Sequence, residues 1–425
     1  MSTPKKILIM SGTYYPRPLA NGICVHQIAL ELKDMGYEVH VICYGNRDFK
    51  SKAVFDGIFA YPVKKRLVLT LRDYAEEIHE TTRGQLYYKI AMLMNKFKKV
   101  LYLPFYPMTS LSSIIGYYRA AEKLHRKHSF DIIISVYNPL DALAAGMMMK
   151  KKWKNLKFVL YILDSLTNDG GNKYLSTEWA ENKGWQWEKT IYKAADKILN
   201  LKCHEKHHQK ERYQVFKDKM EVVDIPLLRP LDNRANKPAS PFEEGYLHWV
   251  YAGAIDIQYR NPKYLCQLFE AININQQYKM HFYSRGDCED IIMEFQKRTN
   301  GHLIRHGYVG IEESVNAVSN ADILISIGNS NSDMIPSKIF EYMSTGKKII
   351  HFYQRANDSC LSYYQQYGQA LLLNEKDKFE DNMEKVENFI QASQVEISYD
   401  KLKAIYYKNL PSYTANIIDE MLKVQ

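Results

Sequence analysis

The sequence predicts an α/β protein of two doubly wound domains, and three observations predict it. Short apolar runs alternate with segments of helical spacing along most of the chain, the pattern of parallel sheets with helices on both faces. The alternation pauses at 227–245, "LLRPLDNRANKPASPFEEG", which holds three prolines and little hydrophobicity and reads as a linker. The charge divides at the same place. Residues 1–230 carry 37 Lys and Arg against 23 Asp and Glu, net +14, and residues 231–425 carry 20 against 25, net −5. Such asymmetry suits two domains with different partners. The organisation expected is an N-terminal domain over 1–226, the linker 227–245, a second domain over 246–395, and a helical C-terminal segment, 396–425.

The elements follow in order. "KKILIMSG" (5–12) is a short apolar run ending in small residues, a buried parallel strand. "TYYPRPLANG" (13–22) is a loop closing on Asn-Gly, and "ICVHQIALELKDMG" (23–36) has helical spacing at Val25, Ile28, Leu32 and Met35 before it stops at Gly36. "YEVHVICYG" (37–45) completes a βαβ unit with a glycine loop at its first strand-to-helix turn. Residues 83–128 mix basic, aromatic and long aliphatic side chains and read as an insert. Strands then recur at 130–139, 157–165, 195–201 and 220–226 in the first half, and at 247–254, 279–286, 302–309, 322–328, 347–353 and 369–374 in the second. The segment "MIPSKIFEYMSTGKKII" (334–350) is a helix that stops at a glycine and leads into a strand.

Composition excludes several classes. Apolar residues are 46% and charged residues 25% of 425, a globular profile. No apolar run approaches the ~18 residues of a membrane-spanning helix, and the N-terminal run is too short for a signal peptide, so a soluble, cytoplasmic chain is expected. The six cysteines form no CxxC pair, which argues against a zinc or redox motif and for reduced, buried thiols. The histidines of "CHEKHHQ" (203–209) read as a solvated cluster on a polar helix or loop.

Open α/β sheets bind ligands at the carboxyl ends of their strands, and several chemically distinctive residues fall there. They are Gly22, Asn138 and Asp164 in the first half, and Gly253, Arg260, Tyr308, Asp333, Ser337, Lys338 and Glu341 in the second. A helix start exposes unpaired N–H groups and the positive end of its dipole, a ready phosphate site. Pro336 loses no needed hydrogen bond there, Ser337 adds a hydroxyl and Lys338 a full charge. Glu341, one turn deeper, suits two ribose hydroxyls. The alternative is an ordinary surface ion pair between Lys338 and Glu341.

Together these residues resemble a known family. "DMIPSKIFEYMSTGKKII" resembles the donor-binding signature of the retaining family 4 glycosyltransferases, a carboxylate, seven residues, then a glutamate; the pair here is Asp333 and Glu341, with Asp for the usual first Glu. "YPRPLANGICVHQIALELKDMGYEVHVI" resembles the family's glycine loop and first helix, and "GYVGIEESVNAVSNADILISIG" the stretch before the signature. The resemblance implies the GT-B architecture, two Rossmann-like domains with parallel sheets facing across a cleft, with the C-terminal segment, 396–425, crossing back to the first domain. It implies that Glu341 holds the nucleotide ribose, that Arg260 and Lys338 neutralise the diphosphate, and that Asp333 meets the donor sugar. Gly22 would let its backbone approach the donor phosphates, Gly253 and Ser337 would line the same site, and Tyr308 and Val309 would lie near the base. The reaction implied is transfer with retention from a nucleotide-sugar, UDP on family grounds, to a glycan or lipid-linked acceptor in surface polysaccharide synthesis. No cofactor is implied, and the absence of a D-x-D triplet agrees with no obligatory metal.

The chain departs from the pattern in two places. Ala254 follows Gly253 where the family often has a basic residue, and Tyr137 or Asn138 stands where many members have histidine. Asp164 reads either as a general base or acceptor contact, or as a cap on the following loop. The segment "YYKIAMLMNKFKKVLYL" within 83–128 reads either as a surface for an anionic membrane or as a helix packed on its own domain with a solvated basic edge. Nucleic-acid binding is not expected, since no RNA-binding motif accompanies the tyrosines. Two rivals share the residues: a sugar-nucleotide epimerase of the same fold, and a non-catalytic nucleotide-sugar-binding, membrane-docking module.

Overall fold

The computed structural model describes residues 4–78, 81–107, 110–163, 176–230, 239–330, 335–336, 338–395 and 397–423. The chain divides into two compact units, 1–226 with 411–425, and 227–410.

In the first unit the elements run β1 (Lys6–Met10), α1 (Ala20–Asp34), β2 (Glu38–Tyr44), β3 (Ala53–Phe55), β4 (Ile58–Val63), α2 (Leu67–Glu77), α3 (Thr82–Leu101), α4 (Leu111–His128), β5 (Ile132–Tyr137), α5 (Leu140–Lys152), β6 (Lys157–Ile162), α6 (Thr177–Ala194), β7 (Lys197–Leu201), α7 (Glu205–His208) and β8 (Met220–Val223). Eight strands form one sheet in the order β3-β4-β2-β1-β5-β6-β7-β8, parallel except for β3. The central strands are buried on both faces and accordingly read as continuous Ile, Val and Leu runs. The order turns back on itself at β1, which lies between β2 and β5. There the loops after β1 and β5 meet so closely that a Cβ on Gly12 would lie 2.8 Å from the Asn138 carbonyl.

The β3–β4 hairpin was not expected. Its turn is Asp56-Gly57, both at positive φ, a hairpin signal flanked by "AVF" and "IFAYPV" that the sequence does contain. Residues 83–128 also divide differently from a single insert. Residues 111–128 form α4, a structural helix that buries Ile114, Tyr117, Ala121 and Leu124 in the core of the first unit.

The second unit runs β9 (Leu247–Ile255), α8 (Lys263–Ile272), β10 (Tyr278–Gly286), α9 (Glu289–Arg298), β11 (Leu303–Arg305), α10 (Ile311–Asn320), β12 (Ile323–Ile327), α11 (Lys338–Ser344), β13 (Lys348–Tyr353), α12 (Leu361–Tyr367), β14 (Ala370–Asn374), α13 (Phe379–Gln391) and α14 (Tyr399–Ile405). Its six strands are all parallel, in the order β11-β10-β9-β12-β13-β14. Here β9 is the reversal strand, between β10 and β12. The core is aromatic and aliphatic, with Trp249, Phe269, Phe282 and Phe295 fully enclosed. The last helix, α15 (Pro411–Lys423), belongs to the first unit. Tyr37 donates to Asp419 at 2.6 Å, and Lys157 donates to the Met421 carbonyl at 2.5 Å. No described helix is long and apolar enough to cross a membrane. Five of the six cysteines are buried and all are free.

The histidines depart from expectation. His204, His207 and His208 are buried rather than solvated. His207 Nε2 lies 2.7 Å from the Tyr213 hydroxyl, which donates to Glu188 at 2.8 Å. In the second unit His248, His281 and His306 form a string, with Nδ1 to Nε2 distances of 2.9 and 3.0 Å. Burial, and then neighbouring histidines, hold His281 and His207 down at about 3, and His208 at about 4. All three are therefore neutral when folded, against an unfolded value of about 6.5. The unfolded chain takes protons first as pH falls, so this stability is complete above about 6.5 and is lost on acidification towards the folded values. By pH 5 each histidine is expected to cost about 2 kcal/mol. Melting of both units should shift down by several degrees between pH 7 and pH 5. A melting temperature flat across that interval would contradict the buried, neutral assignment.

Candidate functional site

The carboxyl edge of the second sheet collects Gly253, Arg260, Lys338 and Glu341 from the residues singled out in the sequence. Gly253 lies within β9, which runs on to Ile255. The chain then makes a tight turn. Asp256 Oδ1 accepts from the Gln258 and Tyr259 amides at 2.8 and 3.0 Å, and the Arg260 amide donates to the Asp256 carbonyl at 2.8 Å. Asp287, just past β10, accepts from the Ile257 amide at 2.9 Å and ties the turn to the neighbouring strand. Held this way, Arg260 extends to the end of β12, where its Nε donates to Asn329 Oδ1 at 2.7 Å. The guanidinium remains half-exposed, with charge left to offer a ligand. Asn329 was missed in the sequence. Its signal was an amide directly after the apolar run "DILISIG", at a strand end where polar side chains gather.

Helix α11 sits on the same edge. Its Tyr342 is buried, accepts from the Ala252 amide at 2.8 Å, and so fixes the helix against β9 one residue before Gly253. The helix begins at Lys338, so the lysine opens the described helix instead of following Pro336 within it. Lys338 Nζ donates to both oxygens of Glu341, at 2.8 and 3.0 Å, and to Ser314 Oγ of α10 at 3.3 Å. This is the i,i+3 ion pair weighed as the alternative reading. Both side chains remain partly exposed, about a quarter. An exposed pair of this kind contributes under about 1 kcal/mol, so a ligand can part it at little cost. Asp333 and Ser337 lie outside the described residues.

Tyr308 does not end a strand. β11 stops at Arg305, and Tyr308 stands in the following loop, 75% exposed, with the Arg285 guanidinium 5.3 Å from its ring centre. Beside it, His306 stacks on Tyr283 at 4.1 Å and 5°. Val309 is half-buried next to Tyr308. An exposed aromatic ring with a flat neighbour is chemically suited to stack on a planar ligand.

In the first unit Gly22 is not in the loop. It lies in the first turn of α1, buried, and a Cβ there would fall 2.3 Å from the Thr13 carbonyl. The small residue therefore lets the loop after β1 fold back onto α1. That loop is pinned by a chain the sequence did not reveal: Tyr14 and His26 Nδ1 are 2.7 Å apart, and His26 Nε2 is 2.9 Å from Asp56 Oδ2 in the β3–β4 turn. A buried ion pair stands near the same sheet edge, Arg66 Nε and Nη2 donating to Asp141 at 3.0 and 2.6 Å, with Tyr44 donating at 3.2 Å. Asn138 immediately follows β5. Asp164 lies outside the described residues.

Among the described residues, two groups bring three potential metal ligands within 4.8 Å of one another, Glu38 with His40 and His128, and His351 with Asp358 and Cys360. Internal contacts account for both. Glu38 accepts from His40 at 2.6 Å and has Lys6 at 3.9 Å. His351 contacts Ser326 at 3.0 Å and Asp358 at 3.4 Å, and Asp358 accepts from the Cys360 amide at 2.8 Å.

No family model and no curated protein matches the chain. Solved structures do. The N-terminal domain of Candida albicans trehalose-6-phosphate phosphatase aligns over 99% of this chain and 97% of its own, at 13% identity and a TM-score of 0.62. WaaG, a glycosyltransferase involved in lipopolysaccharide biosynthesis, aligns over 97% and 99%, at 11% identity and a TM-score of 0.58. A Listeria monocytogenes protein assigned as a UDP-N-acetylglucosamine 2-epimerase aligns over 98% and 95%, at 11% identity and a TM-score of 0.52. At such identities the likeness establishes the fold. It is the GT-B fold of two parallel-sheet α/β domains, here of eight and six strands.

Proposed function

We propose that this protein is a glycosyltransferase. It moves a sugar with retention from a nucleotide-diphosphate donor, on the family resemblance a UDP-sugar, to a glycan or lipid-linked acceptor in surface polysaccharide synthesis. The observation that supports it best is the placement of Arg260, Lys338 and Glu341 on one carboxyl sheet edge, each partly exposed. In this reading Glu341 exchanges Lys338 for the two ribose hydroxyls, and the freed ammonium joins Arg260 on the diphosphate. Ser337 and the Gly253 backbone complete the phosphate contacts, and Tyr308 and Val309 border the base. Asp333 orients the donor sugar, Gly22 allows close backbone approach, and Asp164 meets the acceptor.

As the bond from the anomeric carbon to phosphate oxygen breaks, negative charge grows on the leaving diphosphate, where fixed cations stabilise it most. The acceptor oxygen bonds to the same face of that carbon, and its proton passes to a donor phosphate oxygen. No enzymic nucleophile and no metal is required by this scheme.

The test is thermal stabilisation by UDP, GDP and ADP at equal concentration. A ligand bound only by the folded state at a hundred times its Kd stabilises by about 2.7 kcal/mol. One nucleotide should raise the melting temperature of the wild type, and the Lys338→Ala, Glu341→Ala double variant should lose the shift. No shift at millimolar nucleotide would remove the main support. Likeness to the epimerase structure keeps a second reading, epimerisation of the donor sugar. Product analysis separates the two, because an epimerase alters the sugar nucleotide with no acceptor present.

A further inference from the structure

Helix α3 is apolar on the side where a surface helix is ordinarily polar. Its inward face is Ala91, which is buried, and Tyr87, which meets Tyr74 of α2 edge to face at 5.3 Å and 78°. Its outward face carries Leu86, Ile90, Leu93, Phe97, Val100 and Leu101, all 38–74% exposed. At 100° per residue these six fall within an arc of about 100°, and they extend for roughly 22 Å along the axis. They form one continuous stripe, not scattered single side chains, and such a patch marks an interaction surface.

The charge on this helix selects the occupant. The sequence of α3 contains Arg83 and Lys89, Lys96, Lys98 and Lys99, and no Asp or Glu. On the same helical projection the exposed Lys89 and Lys96 border the stripe along one edge, and the exposed Arg83 lies level with Leu101 at the other. Lys98 is not part of this border. It is half-buried, and burial and then Arg66 lower its affinity for a proton. A second copy meeting this face on its own twofold would set cation against cation, which interfaces avoid. Apolar side chains flanked by cations match a bilayer surface instead, with the stripe in the acyl boundary and the amines at anionic headgroups. The helix is not apolar enough to span a membrane, which agrees with its lying along the surface.

We propose that the exposed face of α3 is a docking surface for anionic phospholipid bilayers. The proposal does not depend on the glycosyltransferase reading, since its test reads binding and not transfer. The full-length protein is sedimented with phosphatidylcholine vesicles, and with vesicles of phosphatidylcholine mixed with phosphatidylglycerol. The wild type should pellet with the mixed vesicles and stay in solution with the neutral ones, and added salt should release it. Leu93→Ser with Phe97→Ser should weaken binding about tenfold or more. Lys89→Gln with Lys96→Gln should weaken it about 25-fold, at about fivefold per lysine. Because these side chains are exposed, both variants should melt with the wild type. Wild type that ignores anionic vesicles, or a Leu93, Phe97 variant that binds as well as wild type, would overturn the proposal. So would a stripe that proves, by sedimentation velocity, to hold two copies together without binding lipid.

Discussion

Arg66→Ala is expected to destabilise the first unit by about 3–5 kcal/mol. Asp141 is 1% exposed in the first turn of α5, and one of its oxygens takes both Arg66 bonds and the Tyr44 hydroxyl. The other oxygen has no hydrogen bond. Removing the guanidinium leaves a buried carboxylate with one weak donor and the positive end of α5, which offsets only part of the charge. The measurement is chemical unfolding followed by calorimetry, because two units need not melt as one. Only the transition of the first unit should move. The double replacement Arg66→Met, Asp141→Leu removes both charges and is expected to be close to neutral, since well-packed apolar pairs often match buried ion pairs. A loss under about 1 kcal/mol for Arg66→Ala would mean that water reaches the pair and that it behaves as a surface bridge.

On the proposed glycosyltransferase reading, Arg260→Ala is expected to lower the transfer rate about 100- to 1,000-fold, the usual effect of deleting one group that stabilises developing negative charge. The melting temperature should change little, because the side chain is half-exposed and makes one strong contact, to Asn329. The loss should fall mainly on kcat, with a smaller rise in KM, because Arg260 meets the diphosphate of the bound donor and holds it more strongly as charge grows in the transition state. Arg260→Lys should recover part of it, restoring charge without the planar Nε contact. Asn329→Ala should fall between, since it frees the arginine from its fixed direction but leaves the charge. The assay is release of nucleoside diphosphate from sugar donors of the nucleotide that thermal stabilisation identifies. An Arg260→Ala enzyme within a few-fold of wild type would remove this residue from the reaction and leave it as a loop brace.

Much of the fold was legible in the sequence because it rests on local repetition. Runs such as "KILIM", "IIISVY" and "KIIHFY" are strands in the structure, and they are apolar throughout because parallel strands are covered on both faces. The β3–β4 hairpin was missed although its Asp-Gly turn is a strong local signal, because the strands are short and partly exposed. β11 was drawn too long because "HLIRHGYV" alternates like a strand, whereas only its first residues pair with β10. The histidines after β7 looked solvated because their sequence neighbours are charged. They are buried because Tyr213 and Glu188, on other elements, supply the polar partners.

The sequence by itself determined the order and type of most elements, the two-domain α/β class, and which residue types stand at strand ends. Each depends on spacing within a few residues, where helical and strand periods differ. Tertiary structure alone decided which distant residues meet: Arg66 with Asp141, Arg260 with Asn329, and His26 with Asp56. Sheet order brings these pairs together across many intervening residues, and no local period encodes that order. It also decided which side of α3 faces outward. That helix has apolar residues on both sides, so periodicity marks two faces that could be buried. Packing against α2 covers one and leaves the Leu86–Leu101 stripe in water.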